Sequence, residues 1–110
     1  VQQANSLDPN NPSILMVLEL AQYKAGLYEE TLRTFKKFAE LTANTWTTSS
    51  WGLVGALHKA MALHQLGRID EAKSTLDEVR ALLKDGRLAK NEGLQTLLAE
   101  TETLIEGTGP

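Results

Sequence analysis

The chain of 110 residues contains no cysteine, three prolines, two histidines and few aromatic residues (5%). The absence of cysteine excludes disulfide bonds, thiolate chemistry and cysteine-ligated zinc. Because the prolines stand at positions 9, 12 and 110, nothing between residues 13 and 109 forbids helix. No apolar run approaches the roughly 20 residues that cross a bilayer, and no signal-peptide pattern is present. We therefore expect no membrane insertion and a cytoplasmic location.

The composition that remains is that of one ordinary folded domain. Hydrophobic residues make up 42% of the chain and charged residues 23%, which is enough apolar material for a core. The net charge of -3 argues against a general nucleic-acid binder, since such proteins carry a basic surplus.

Helix-start and helix-stop residues predict the first helices. Asn11 is a good N-cap, Pro12 suits the first helical position, and Gly26 is placed to end the helix in a left-handed conformation. Apolar residues recur between these ends with a helical period at Ile14, Leu15, Val17, Leu18, Ala21 and Ala25. A second helix is predicted to begin near Tyr28, with acidic residues in its first turn, and to fade at residues 42–44.

The second half of the chain repeats this plan. A polar stretch over residues 45–50 is predicted as a loop that supplies Thr48 or Ser49 as the N-cap of a third helix. Gly67 ends that helix as Gly26 ends the first. A fourth helix and a last helix follow, and no β-branched alternation indicates strands, so the sequence predicts an all-α fold.

The two turns between paired helices share one pattern. It is Gly26-x-Tyr28-x-x-Thr31-x-x-x-Phe35-x-x-Phe38 in the first and Gly67-x-Ile69-x-x-Ala72-x-x-x-Leu76-x-x-Val79 in the second. The segment Ala4-x-x-Leu7-Asp8-Pro9-Asn10-Asn11 precedes them in phase. On these residues the chain resembles the tetratricopeptide repeat (TPR) family, a helix–turn–helix unit of about 34 residues. The resemblance implies an α-solenoid of two antiparallel helix pairs plus a C-terminal capping helix.

The resemblance implies a single TPR-like domain with the following organisation: the end of a preceding repeat (1–11), a repeat (12–44), a loop insertion (45–50), a second repeat (51–86) and a capping helix (88–106). Two departures from the family pattern stand out. The turn glycines lie 41 residues apart, with the surplus in the loop around Trp46. Glu19 stands where the family has a small residue, and Thr31 and Phe38 replace alanines of the family pattern. These residues argue against close helix approach within the first repeat.

A narrower resemblance covers Ala60-Met61-Ala62-x-His64-x-Leu66-Gly67-x-x-Asp70-Glu71-Ala72-x-x-x-Leu76-Asp77. This segment is similar to the last TPR of long bacterial proteins that carry a serine/threonine kinase or WD-repeat domain upstream. It implies that the chain is the C-terminal TPR tail of such a protein.

No group of residues with catalytic or metal-binding spacing is found. His58 and His64 are six residues apart, about 240° around a helix, so they do not share a face as a metal pair would. There is no glycine-rich phosphate loop and no nucleophile elbow. We therefore expect no enzymatic activity, no cofactor and no metal.

The TPR resemblance implies that the first helix of each pair lines a concave groove for a peptide or another helix. The residues that it places there are Ser13, Met16, Leu20 and Tyr23 from the first pair, and Val54, Leu57, Met61 and His64 from the second. The set is apolar and suits an amphipathic helix, and methionine suits adaptable surfaces. The alternative is that these residues are core, covered by another part of the protein.

The two tryptophans flank the polar insertion. Trp46 is a candidate interface anchor, because tryptophan is enriched at binding hot spots, or it packs over the loop. Trp51 is predicted to pack as a staple at the start of the third helix.

The leading functional hypothesis is a non-catalytic protein–protein interaction module. It would bind a peptide or amphipathic helix, or associate with a second copy as a homodimer, through the apolar groove. The alternative is a regulatory or oligomerising C-terminal appendage of a larger multidomain enzyme such as a protein kinase. Neither predicts a nucleic-acid partner.

Overall fold

The computed structural model describes residues 11–43, 45–84 and 90–107. These segments contain five α-helices: α1 (Pro12–Lys24), α2 (Tyr28–Leu41), α3 (Ser50–Gln65), α4 (Ile69–Lys84) and α5 (Glu92–Glu106). A short 3-10 helix, Thr45–Thr48, precedes α3. The described segments contain no strand, and the all-α prediction is confirmed.

The helix starts follow the N-cap rule. The side chain of Asn11 accepts a hydrogen bond from the Ser13 amide (2.9 Å), as predicted. Ser49, rather than Thr48, caps α3, so Ser50 is already helical and most of the predicted loop over residues 45–50 is the 3-10 helix. The helix α5 begins later than predicted, because Asn91 caps it; residues 85–89 lie outside the described segments.

The turns that follow α1 and α3 have the same geometry. Gly26 has φ +81°, its amide donates to the Tyr23 carbonyl (3.1 Å), and the Leu27 amide donates to the Gln22 carbonyl (2.9 Å). The second turn has the same φ at Gly67 and the same hydrogen bonds shifted by 41 positions, from Gly67 to His64 (3.0 Å) and from Arg68 to Leu63 (2.9 Å). Both are Schellman motifs, which end a helix at a left-handed residue and satisfy its last carbonyls.

The helix α3 is the centre of the structure. It contacts each of the other four helices and the 3-10 helix, and most of its residues are buried. Glycine and alanine at several of its positions let neighbouring helices approach on all sides. The fully buried core around it includes Leu53, Leu57, Leu76, Val79 and Leu94.

The pairing of α1 with α2 is as extensive as that of α3 with α4, contrary to the expectation from the residues that replace alanine in the first repeat. Thr31 is fully buried, and its hydroxyl donates to the Leu27 carbonyl at 2.9 Å. This hydrogen bond makes the burial possible, because the hydroxyl is not left unpaired. Phe38 is buried as well and contributes to the core.

The apolar period of α1 does not coincide with its buried face. The helix buries Leu15, Met16 and Glu19, whereas Val17 is 61% and Leu18 43% exposed. Since α1 is apolar nearly all round, its neighbours α2 and α3, and not its sequence pattern, decide which face turns inward.

Candidate interaction surface

The residues predicted to line a groove differ in accessibility. Met16, Leu57 and Met61 are buried, with 4%, 0% and 6% of their surface exposed. The half-buried members of the set are Leu20, Tyr23, Val54 and His64, and Ser13 is exposed. Only part of the predicted groove can therefore be reached from solvent in this structure.

The helix α5 packs on α3 at the Val54 end of this set. Val54 lines a cavity together with Leu94 and Leu97 of α5, which places α5 against that side of α3. Leu57 and Met61 follow Val54 by three and seven residues, so they lie on the same stripe of α3. We call Val54, Leu57 and Met61 the α3 stripe.

Trp51 is the large exposed side chain at this end of the molecule. It is 61% exposed, so the prediction that it packs at the start of α3 is wrong. It borders a cavity of about 230 Å³ that includes Met16 and Phe38, and a second of about 370 Å³ that includes Val54. We call Trp51 and these two cavities the Trp51 ridge. The side chain of Trp46 lies outside the described residues, so its role as an anchor stays a prediction.

A small polar cluster joins α1 to α3. The rings of Tyr23 and His58 meet edge to face, 5.4 Å between centroids. His58 Nδ1 donates to the Val54 carbonyl at 2.9 Å, which fixes its tautomer. Burial lowers the pKa of His58, an effect that its bond to Val54 and the nearby Glu100 oppose, while Lys24 adds to it. His58 is therefore neutral at pH 7.

Glu19 is a buried carboxyl at the α1–α3 contact. It is 1% exposed, and its Oε2 has no hydrogen-bond partner. Burial raises its pKa from 4.5 to about 9, although Lys59 acts in the opposite direction. It fits because Gly55 faces it: a Cβ at position 55 would lie 2.8 Å from Glu19 Oε1 and 2.9 Å from Met16 Sδ.

An arginine joins α5 to α4. Arg80 donates through Nε to Glu102 Oε2 (2.9 Å), and through its two terminal nitrogens to Glu106 (2.9 and 2.7 Å) and Asp77 (3.0 Å). The guanidinium lowers the pKa of Glu106, and the three carboxylates raise the pKa of Arg80 further. Since Glu102 and Glu106 lie 22 and 26 residues beyond Arg80, this network is tertiary, and we call it the Arg80 clasp.

A third cavity, of about 540 Å³, is lined by residues of α2, α3 and α4. Its apolar floor includes Phe35 and Leu63, and its rim carries charges of both signs, among them Lys36 and Glu78. Lys59 stands over the Phe35 ring at 5.6 Å. Mixed charge gives this cavity no preference for an anionic or a cationic ligand.

Sequence inspection missed three features of this surface: the exposure of Trp51, the burial of Glu19 and the Arg80 clasp. Glu19 had a visible signal, because a charged residue stood where the repeat pattern has a small one. The sequence also marked Gly55, which faces Glu19, since a glycine inside a helical pattern often indicates close packing. No local sequence pattern indicated the contacts of Arg80 with α5, because Glu102 and Glu106 are distant from it in sequence.

Within the described segments, no helix is long and apolar enough to cross a membrane. The same part of the chain contains no group of three or more His, Asp or Glu side chains arranged to hold a metal ion. Comparisons with protein-family models, with curated proteins and with solved structures found no match to this chain.

Proposed function

We propose that this chain is a non-catalytic, TPR-like helical-repeat module that binds a protein segment at the Trp51 ridge. The observation that carries the proposal is the exposure of Trp51 (61%) between two cavities. A large aromatic side chain on the surface, flanked by apolar recesses, is typical of a binding hot spot.

The repeat architecture rests on the two equivalent turns. A three-residue connection at Gly26 and another at Gly67 reverse the chain in the same way, which favours two antiparallel helix pairs. Stacking of α3 on α1 and of α5 on α3 supports a short solenoid in which α5 is the cap. The exposed face of α5 is polar, as a terminal cap requires.

The shape of the Trp51 ridge favours an amphipathic helix or an extended peptide with two apolar side chains. One side chain would enter the cavity beside Met16 and the other the cavity beside Val54, with Trp51 between them. Hydroxyl groups of Ser13, Thr42 and Ser49 border the first cavity and offer polar contacts at its rim.

Selection of peptides from a displayed library against the full chain tests this proposal. We expect the selected peptides to bind the wild-type chain, to lose at least tenfold in affinity for Trp51→Ala, and to bind Leu27→Ala normally. Leu27 is a matched control because it is also a large, half-exposed apolar residue but lies at the start of α2. Equal affinity for wild type and Trp51→Ala, or no selected binder at all, would refute the assignment.

Self-association is a second candidate mode, and the outward apolar face of α1 favours it. Val17 and Leu18 are exposed there, next to Ala21. Light scattering on a size-exclusion column at high micromolar concentration should give a mass above 12.1 kDa for wild type and the monomer mass for Leu18→Glu. A monomeric wild-type protein under these conditions would refute self-association through α1, and it would not affect the proposal of peptide binding at the Trp51 ridge.

A further inference from the structure

The helix α5 sits on the α3 stripe as a separate amphipathic helix would. Its buried residues are Leu94, Thr101 and Ile105. Its other leucines stay half-exposed, and these are Leu97, Leu98 and Leu104. The cavity beside Val54 lies on the seam between the two helices, so α5 does not seal the α3 stripe at this end.

The attachment of α5 is completed by polar contacts to one side chain. Arg80 donates through Nε to Glu102 and through both terminal nitrogens to Glu106. Each of these three side chains is about 30% exposed. Carboxylates four residues apart on a helix lie on one face, one turn from each other. That spacing is what lets one guanidinium bind both.

We propose that the α3 stripe and Arg80 together form a binding site for an amphipathic helix with two carboxylates four residues apart, and that α5 is its internal, displaceable occupant. The inference goes beyond the proposed function, because its site is the surface of α3 that α5 covers, whereas the Trp51 ridge includes a cavity lined by Leu94 and Leu97 of α5 itself. A partner helix of this pattern would take the place of α5, with its apolar face on Val54 and Leu57 and its carboxylates on Arg80.

The chemistry of Arg80 provides the selectivity. A helix with lysine or neutral residues at the two carboxylate positions would leave the half-buried guanidinium with Asp77 as its one remaining carboxylate among the described contacts. The apolar stripe alone would accept many helices, so the pair of carboxylates is the part of the partner that the site distinguishes.

When a partner helix replaces α5, it makes the same two kinds of contact, apolar packing on the α3 stripe and ion pairs with Arg80. What the partner must overcome is the high effective concentration of α5, which is part of the same chain. Its apparent affinity is reduced by the fraction of molecules in which α5 is docked. Substitutions in α5 that weaken its ion pairs with Arg80, and leave α3 and Arg80 unchanged, should therefore increase the affinity for the partner.

The test uses a labelled peptide with the sequence of residues 91–107 and the full chain as receptor. The receptor variant Glu102→Gln with Glu106→Gln weakens the hold on its own α5 while Arg80 stays intact. Its matched control, Glu40→Gln with Glu78→Gln, makes the same change in charge at exposed glutamates outside α5. Fluorescence anisotropy gives the affinity, and circular dichroism checks that both receptors keep their helix content.

We expect the peptide to bind the variant about fivefold tighter than wild type or the control, the effect of one net ion pair. A peptide with glutamine at both carboxylate positions should lose that gain. Hydrogen exchange on the isotopically labelled wild-type chain provides a measurement without any variant: saturating peptide should reduce protection in α5 and leave α3 protected.

Equal affinity of the peptide for all three receptors, or unchanged protection of α5 at saturating peptide, would overturn the inference. These failures are distinct from failure of the proposed function. Library peptides that need Trp51 would still support an interaction module even if the α5 peptide never binds in trans.

Discussion

Replacement of Glu19 by glutamine should stabilise the protein and remove a pH dependence of its stability. Glutamine has nearly the same shape as a protonated glutamate, so the packing against Gly55 is kept. It cannot ionise, and ionisation is what the buried site opposes, since Oε2 has no hydrogen-bond partner.

The size of the effect follows from the change in pKa on folding. The pKa of Glu19 rises from 4.5 in the unfolded chain to about 9 in the folded one. A raised folded pKa means that the contribution of Glu19 is fully present below pH 4.5 and is lost as pH rises to about 9. Between these values the free energy of unfolding falls by about 1.4 kcal/mol per pH unit, so that about 3 kcal/mol is lost by pH 7.

Urea denaturation of wild type and Glu19→Gln at intervals from pH 5 to pH 8.5 measures this difference. Subtracting the two curves removes the contributions of other groups such as His58. The gap in unfolding free energy should grow steadily with pH and reach roughly 3 kcal/mol near neutrality. Glu40→Gln, at an exposed position, should show no such trend. A constant gap across this range would refute the argument that Glu19 is buried as a neutral acid.

The other substitutions test packing and the clasp. Gly55→Ala should destabilise by about 1 kcal/mol in thermal unfolding despite the better helix propensity of alanine, because the atoms it would crowd are themselves buried. Gly93→Ala should be neutral or stabilising, because the added Cβ would lie 3.4 Å from Asn91 Oδ1, an ordinary contact distance. Arg80→Ala should lower the melting temperature at low salt and by less in 1 M NaCl, since the clasp is partly screened. Met61→Glu should cost roughly 3–5 kcal/mol and reduce helicity by circular dichroism, because it buries an unpaired charge; retained stability would mean that this position is open.

Local signals in the sequence were sufficient for the helix ends and the turns. Asn11 and Pro12 mark the start of α1, and Gly26 and Gly67 adopt the left-handed conformation expected of them. These features depend on a few neighbouring residues, because a cap or a Schellman turn is closed by hydrogen bonds within one helical turn.

The rotation of the helices about their axes was not predictable in the same way. Helix α1 carries apolar residues on all sides, so its period could not show that Leu15 turns inward and Val17 outward. Exposure of Trp51 and burial of Leu57 depend on where α1 and α5 lie relative to α3, and the pattern of α3 is almost uniformly apolar. Such positions are decided by tertiary contacts.

The matching turns at Gly26 and Gly67 also bear on how the protein folds. Each turn joins two helices that pack on each other, so each hairpin forms from contacts close in sequence and closes only a short loop. The two hairpins can therefore nucleate separately, and α3 then joins them because it contacts both partners of the first pair. Folding should be fast, with the packing of α1 and α5 on α3 among the last contacts to form, since it joins residues further apart in sequence, such as Tyr23 and His58.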